Sequence, residues 1–149
     1  METVIKHFDQ LTTMELYEIL QLRAEVFVVE QDCPYQDLDG KDLNAYHVYV
    51  RENGEVVACV RVLDVGVSYA DSPSIGRVVT KYRRKGLGSV VMREGISVAR
   101  EKYGAKTITI SAQCYARQFY EGFGFKQVSE EYLEDGIPHI RMKWSECEE

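Results

Sequence analysis

Residues 80–95 read TKYRRKGLGSVVMREG, and their order points to anion chemistry. Arg83, Arg84 and Lys85 run straight into Gly86-Leu87-Gly88, after which Leu87, Val90, Val91, Gly95, Val98 and Ala99 fall on one face of a helix. Gly86 and Gly88 let the backbone turn without Cβ clashes. The amides around residues 84–89 then converge, unpaired, at a helix N-terminus, with the helix dipole behind them. The three cationic side chains can add charge-assisted bonds to outer phosphate oxygens. The spacing is neither GxxxxGK[ST] nor GxGxxG, which separates this turn from P-loops and dinucleotide-binding turns. The plainer alternative is a basic, glycine-containing turn that only starts a helix.

The rest of the chain bounds what can hold this turn. With 149 residues, 45% apolar, 28% charged and only three prolines, it fits a single soluble α/β domain. No apolar run approaches membrane-spanning length, and METVIKHFDQ is neither a signal peptide nor a transit peptide, so a cytoplasmic protein without membrane attachment is expected. Cys33, Cys59, Cys114 and Cys147 are scattered with no CxxC pair, which argues against a zinc knuckle and gives no disulfide framework. A net charge of −6 argues against broad nucleic-acid binding and mildly favours a cationic small partner.

Hydrophobic period places the elements. VIKHF opens as a strand. Thr12 and Glu15 fit a capping box ahead of Leu16, Ile19, Leu20 and Phe27 at helical spacing, and this helix should end before Cys33-Pro34. EQDCPYQDLDGKDL reads as a long acidic loop. AYHVYVR and EVVACVRVL form a hairpin across Glu52-Asn53-Gly54, and SIGRVVT (Ser74–Thr80) follows as a third strand. The helix from Leu87 stops at Gly104. TITISA is a buried strand, ARQFYEGFGF a short helix ending in glycines, and FKQVSE a strand. Asp135-Gly136 turns into the last strand, IPHIRMKW. Strands paired as hairpins first, then alternating with helices, give a mixed α/β domain around one twisted sheet.

Two motifs add a resemblance. Arg83-x-x-Gly86-x-Gly88 resembles the R/Q-x-x-G-x-G/A signature with which GNAT acetyltransferases bind the diphosphate of acetyl-CoA. Downstream, Ala116-Arg117-Gln118-Phe119-Tyr120-Glu121-Gly122-Phe123-Gly124-Phe125 is similar to the A-x-x-F-Y-x-x-x-G-F segment of that superfamily. EVFVVEQDCPYQDLDGKDL, GRVV, ISAQ and YLEDGIPHIRM extend the likeness to the ElaA-like branch, over about Glu25 to Met142.

The resemblance implies acetyl transfer from acetyl-CoA to a small-molecule or peptidyl amine. The central strand would splay from its neighbour, with Arg77, Val78 and Val79 lining the pantetheine arm and an amide near Val79 facing the acyl oxygen. Arg83, Arg84, Lys85, Gly86, Leu87, Gly88 and Ser89 would hold the diphosphate. Gln113 stands where the superfamily often has an asparagine touching the cofactor arm. Tyr120 matches the tyrosine that protonates the departing thiolate, a sensible donor with a phenol pKa of ~10; packing alone is the other reading.

The base is harder to find. An amine of pKa ~10.4 is only about one part in a thousand neutral near pH ~7.4, a cost of ~4 kcal/mol. Ser74–Thr80 carries no acid, which leaves Glu25, Glu30 and His47, with Glu30 favoured for its place where the first helix meets the acidic loop. Gln31, Tyr35 and His47 are the expected acceptor contacts. Asp32, Asp37, Asp39 and Asp42 read either as a negative rim for an amine, as local Asx turns, or as a loop packed on the sheet. Without a readable histidine partner, Cys33 and Cys114 are packed thiols, which disfavours an acyl-cysteine route. An acyl-CoA-binding sensor without catalysis is the second reading, and a nucleic-acid module a distant third. The acceptor is not encoded in any motif, and a homodimer, common in the superfamily, stays open.

Overall fold

The computed structural model describes residues 1–82 and 86–146. Eight strands form one sheet: β1 (Glu2–His7), β2 (Tyr46–Glu52), β3 (Glu55–Leu63), β4 (Ser74–Thr80), β5 (Thr107–Gln113), β6 (Lys126–Gln127), β7 (Tyr132–Glu134) and β8 (Ile137–Ser145). Their order is β1-β2-β3-β4-β5-β8-β6, with β7 also on β8. Every pairing is antiparallel except β4 with β5.

Helices cover both faces of the sheet, which is why its central strands are almost continuously apolar. Val48, Val50, Val60 and Val62 pack with Val91, Met92 and Val98 of α2 (Leu87–Tyr103). Tyr49, Cys59 and Val79 face the other way, against Ile19 and Leu22 of α1 (Thr13–Arg23). The strand period of two thus divides one run of residues between two cores. Gly95 faces the sheet where α2 crosses it, and a Cβ there would sit in ordinary contact, 3.5 Å from Val60 Cγ1.

The helix starts follow from their first residues. Thr12 accepts the Glu15 amide at 3.0 Å while Glu15 Oε1 accepts the Thr12 amide at 2.8 Å, the reciprocal box expected from their spacing. After Arg23 the helix widens into a π-helical segment, Ala24–Glu30, and stops before Cys33 as expected. FKQVSE departs from its expected strand: only Lys126–Gln127 is laddered, because beyond Val128 the Ser129 hydroxyl takes over and accepts the Arg141 amide at 2.9 Å.

Two irregularities open the centre of the sheet. Between Cys59↔Val79 and Arg61↔Gly76, β4 carries one more residue than β3, and Arg77 in that bulge takes φ +53°. Such a left-handed conformation costs a branched-out side chain energy that its surroundings must repay. On the other edge β4 meets β5 only at Ser74↔Thr109, so the parallel pair parts immediately afterwards.

Candidate active site

The gap between β4 and β5 is a cleft of about 700 Å³. At one end lies the start of α2. Gly86 holds the N-cap in a left-handed conformation, φ +72°, and supplies no side-chain cap. The first amides of this 17-residue helix therefore receive no cap from the Gly86 side chain, an arrangement that can accept an anion. Gly86, Leu87, Gly88 and Ser89 all line the cleft here. Arg83, Arg84 and Lys85 lie outside the described residues.

Along the side, β4 offers backbone. The Lys81 amide donates to Val57 O at 2.8 Å, and Cys59 is the register partner of Val79. By the alternation of an antiparallel ladder, the Val79 N–H is spent on β3 and the Thr80 N–H faces the parted edge. Val78 and Val79 line the cleft as expected, as does Gln113 across from them. Arg77 lines it too, but its guanidinium is engaged elsewhere: Nε is 2.7 Å from Asp37 Oδ1, and the group stacks on Tyr35 at 5.6 Å.

Those contacts belong to a clamp that the acidic loop makes with three arginines. Arg23, only 1% exposed, reaches Asp37 at 2.9 Å and Asp42 at 2.7 Å. Arg61 joins Asp39 at 2.8 Å and Asp42 at 3.3 Å. Burial would raise the Asp39 carboxyl, but Arg61, the Lys41 amide and Arg77 outweigh it and hold the pKa at about 2. Asp42 is likewise lowered against its burial by Arg23 and Arg61. Of the three readings of this loop, packing on the sheet is realised for the buried Asp37 and Asp42, and the Asx turn for Asp39, whose Oδ1 accepts the Lys41 amide at 3.0 Å; all three charges are paired with arginines rather than presented as a rim.

Tyr35 and Gln31 line the cleft, and the Tyr35 hydroxyl donates to Asp37 Oδ1 at 2.8 Å. Two expected residues do not reach it. Glu30 is exposed at the end of the π segment, and its neighbour Gln31 faces the cleft instead. His47 is 1% exposed beneath the loop, where Nε2 donates to Asp42 O at 3.2 Å. Burial pushes its pKa down and keeps it neutral, so it is a structural histidine rather than an acceptor contact or base.

Tyr120 lines the cleft from α3 (Arg117–Glu121), set edge-on against Phe119 and Phe125 at 5.1 and 6.1 Å. Burial, and to a lesser extent Tyr115, pushes its phenol up, so it stays protonated at neutral pH, as a proton donor must. Sequence reasoning assigned nothing to Ser111 or Glu134, and His139 joins them. All three line the cleft. The turn signal at Asp135-Gly136 announced the hairpin but not that β5 would lie beside it.

A helix start without a side-chain cap, a parted central pair and a tyrosine between them match a known family. The description "Acetyltransferase (GNAT) domain" fits residues 15–146. The chain belongs to the GNAT acetyltransferase family. Within that family it is ElaA-like: Protein ElaA of Escherichia coli is 40% identical over 140 residues, 91% of each chain. A UPF0039 protein of Schizosaccharomyces pombe is 40% identical over 147 residues, 96% of each. An acyl-CoA N-acyltransferase from Pseudomonas aeruginosa superposes with TM-score 0.90 at 41% identity, covering 97% of this chain and 100% of that one. E. coli ElaA gives 0.89 at 38% identity over 97% and 99%. The GNAT fold expected from the sequence is the fold observed, and the chain is an acyltransferase. Among the described residues no helix is long and apolar enough to cross a membrane.

The cleft fits an acyl-CoA. A thioester on a pantetheine arm needs amide partners along an extended path and donors for a diphosphate. The parted edge of β4 supplies the first, and the start of α2 the second. A Cβ at Gly88 would sit in ordinary contact, 3.5 Å from Phe119 and 3.7 Å from Thr80 Cγ2, in keeping with the G/A of the signature.

Proposed function

We propose that this GNAT protein is an acetyl-CoA-dependent N-acetyltransferase that moves an acetyl group directly to a primary amine of a small-molecule or peptidyl acceptor. The observation that carries the reading is the parted β4–β5 pair, which joins the start of α2 to Tyr120 in one cleft. The backbone of residues 86–89 and the basic run Arg83–Lys85 hold the diphosphate. The β4 edge orients the acyl group, with the Thr80 N–H at the parted edge, rather than the Val79 N–H spent on β3, facing the acyl oxygen. When bound, the cofactor supplies the activated acyl carbon. Tyr120 gives its proton to the leaving sulfur.

Titration of acetyl-CoA against Gly86→Asp and Gly86→Asn tests this. Both residues tolerate the left-handed backbone and differ in charge alone. Asp should abolish measurable binding where Asn weakens it modestly. Equal affinities for the two would remove the diphosphate from this turn. Release of free CoA thiol in the presence of simple primary amines, lost in Tyr120→Phe with binding intact, then separates catalysis from the second reading, an acyl-CoA sensor. That reading keeps one observation in its favour: no acid stands in Ser74–Thr80.

A further inference from the structure

The end of the cleft away from α2 carries a set of side chains for which binding of the cofactor has no use. His139, 7% exposed, sits on β8 opposite Gln113 of β5 and Tyr132 of β7. Its Nδ1 lies 2.7 Å from Ile137 O. A carbonyl oxygen only accepts, so Nδ1 must carry the proton, and the neutral ring then has its lone pair on Nε2. That nitrogen is 3.9 Å from Glu134 Oε2, too far for a direct bond.

The other carboxylate oxygen is already fixed. Ser111 Oγ donates to Glu134 Oε1 at 2.8 Å, and having spent its one proton it accepts from the Tyr132 hydroxyl at 2.5 Å. The Tyr132 ring stacks on His139, 22° from parallel with centroids 6.2 Å apart. The imidazole is thus held in one tautomer and one orientation, and the carboxylate beside it has one oxygen to spare. Oε2 and Nε2 together form a two-point acceptor site, one member negative and the other basic. A protonated primary amine matches it, with one N–H for each.

We propose that Glu134 binds the acceptor as its ammonium ion and that His139 Nε2 takes the proton that makes it nucleophilic. The inference rests on the N-acetyltransferase reading and names its missing base. The ammonium gives one proton to Nε2, leaving an imidazolium still bonded through Nδ1 to Ile137 O and paired with Glu134. The freed nitrogen lone pair forms the N–C bond to the acyl carbon as the C–S bond breaks. The sulfur leaves with its electron pair and takes the Tyr120 proton. The second amine proton, lost as the amide forms, restores the phenol through water, and His139 returns its own proton to solvent past the exposed Glu134.

Two amines separate this role from a structural one. n-Propylamine arrives as an ammonium ion and needs the base, whereas hydroxylamine is already unprotonated at neutral pH and does not. In His139→Gln, enzyme-catalysed release of CoA with propylamine should fall about 100-fold or more, while release with hydroxylamine changes little and acetyl-CoA binds as before. Glu134→Gln, at an exposed position, should show the same selectivity and guards against a folding defect in the first variant. Nitrogen NMR of the wild type, with His139 assigned by its loss in the variant, should show Nδ1 protonated and Nε2 bare. Equal losses for both amines, no loss for propylamine, or a proton found on Nε2 of the neutral ring each overturn the assignment. Wild-type protein that binds acetyl-CoA yet transfers to neither amine instead overturns the transferase reading, and this inference with it.

Discussion

The two ends of the cleft are built by different physics. The α2 end is local: glycine conformations, main-chain amides and a helix dipole would supply the proposed binding surface within a few residues of Gly86. The opposite end is assembled from side chains far apart in the chain: Arg23, Asp42, Arg61 and Arg77 brace the loop, and Ser111, Glu134 and His139 meet across three strands. The first end can change its ligand affinity without disturbing the fold. The arginine–aspartate part of the second cannot lose a partner without leaving another charge buried. Binding and stability are therefore expected to separate along the length of one cleft.

The largest effect that would break this separation is at Asp42. Replacing it with Ala leaves the buried Arg23 with Asp37 alone and removes the second carboxylate facing Arg61. Breaking a buried ion pair from one side costs about 3–5 kcal/mol. The urea midpoint of Asp42→Ala should drop accordingly, while the folded fraction binds acetyl-CoA as the wild type does. A loss of affinity in folded protein with little change in midpoint would show that the loop end serves the cofactor after all.

Acid should sharpen the same contrast with an intermediate effect. Asp39 and Glu15 have folded pKa values of about 2, below the ordinary unfolded values of ~3.9 and ~4.3. A depressed folded pKa means that the unfolded chain binds protons first, so the stability from these groups is complete above pH ~4.5 and is lost as pH falls toward ~2. Glu15, held low against its burial by the Thr12 amide, Tyr49 and Lys6, is 8% exposed and should contribute ~2 kcal/mol. Glu15→Gln should flatten the fall in unfolding free energy between pH ~4.5 and ~2. An unchanged slope would place the acid sensitivity elsewhere.

The same division decides what the sequence could tell. Ser74–Thr80 and Leu87–Tyr103 were legible to the residue or nearly so, because strand and helix periods and a glycine at each helix end are written locally. Thr12 and Glu15 announced their box for the same reason. Nothing within SIGRVVT announces the extra residue at Arg77, since a bulge is a relation between β4 and β3 rather than a property of either. Asp37, Asp39 and Asp42 looked like charges to be presented because the arginines that consume them stand 14 to 40 residues away. His47 and His139 both fall in strand-like stretches whose local sequence does not say which way either faces. Only register, which sets one beneath the loop and the other beside Glu134, tells them apart.

The smallest expected effect tests the local end most cleanly. Gly88 lies in the first turn of α2 with an ordinary backbone conformation, and an added Cβ would meet Phe119 at 3.5 Å and Thr80 Cγ2 at 3.7 Å, both normal contacts. Gly88→Ala should therefore be accepted by the fold and gain up to ~0.5 kcal/mol from helix propensity, less than mid-helix because only the first turn is involved. The R/Q-x-x-G-x-G/A signature admits alanine at this position, so acetyl-CoA affinity should stay essentially unchanged while the urea midpoint holds or rises. A gain in stability with binding unchanged is what a purely local binding end requires. If both fall together, the methyl has displaced Phe119 or Thr80, and the start of α2 is as dependent on distant packing as the loop it faces.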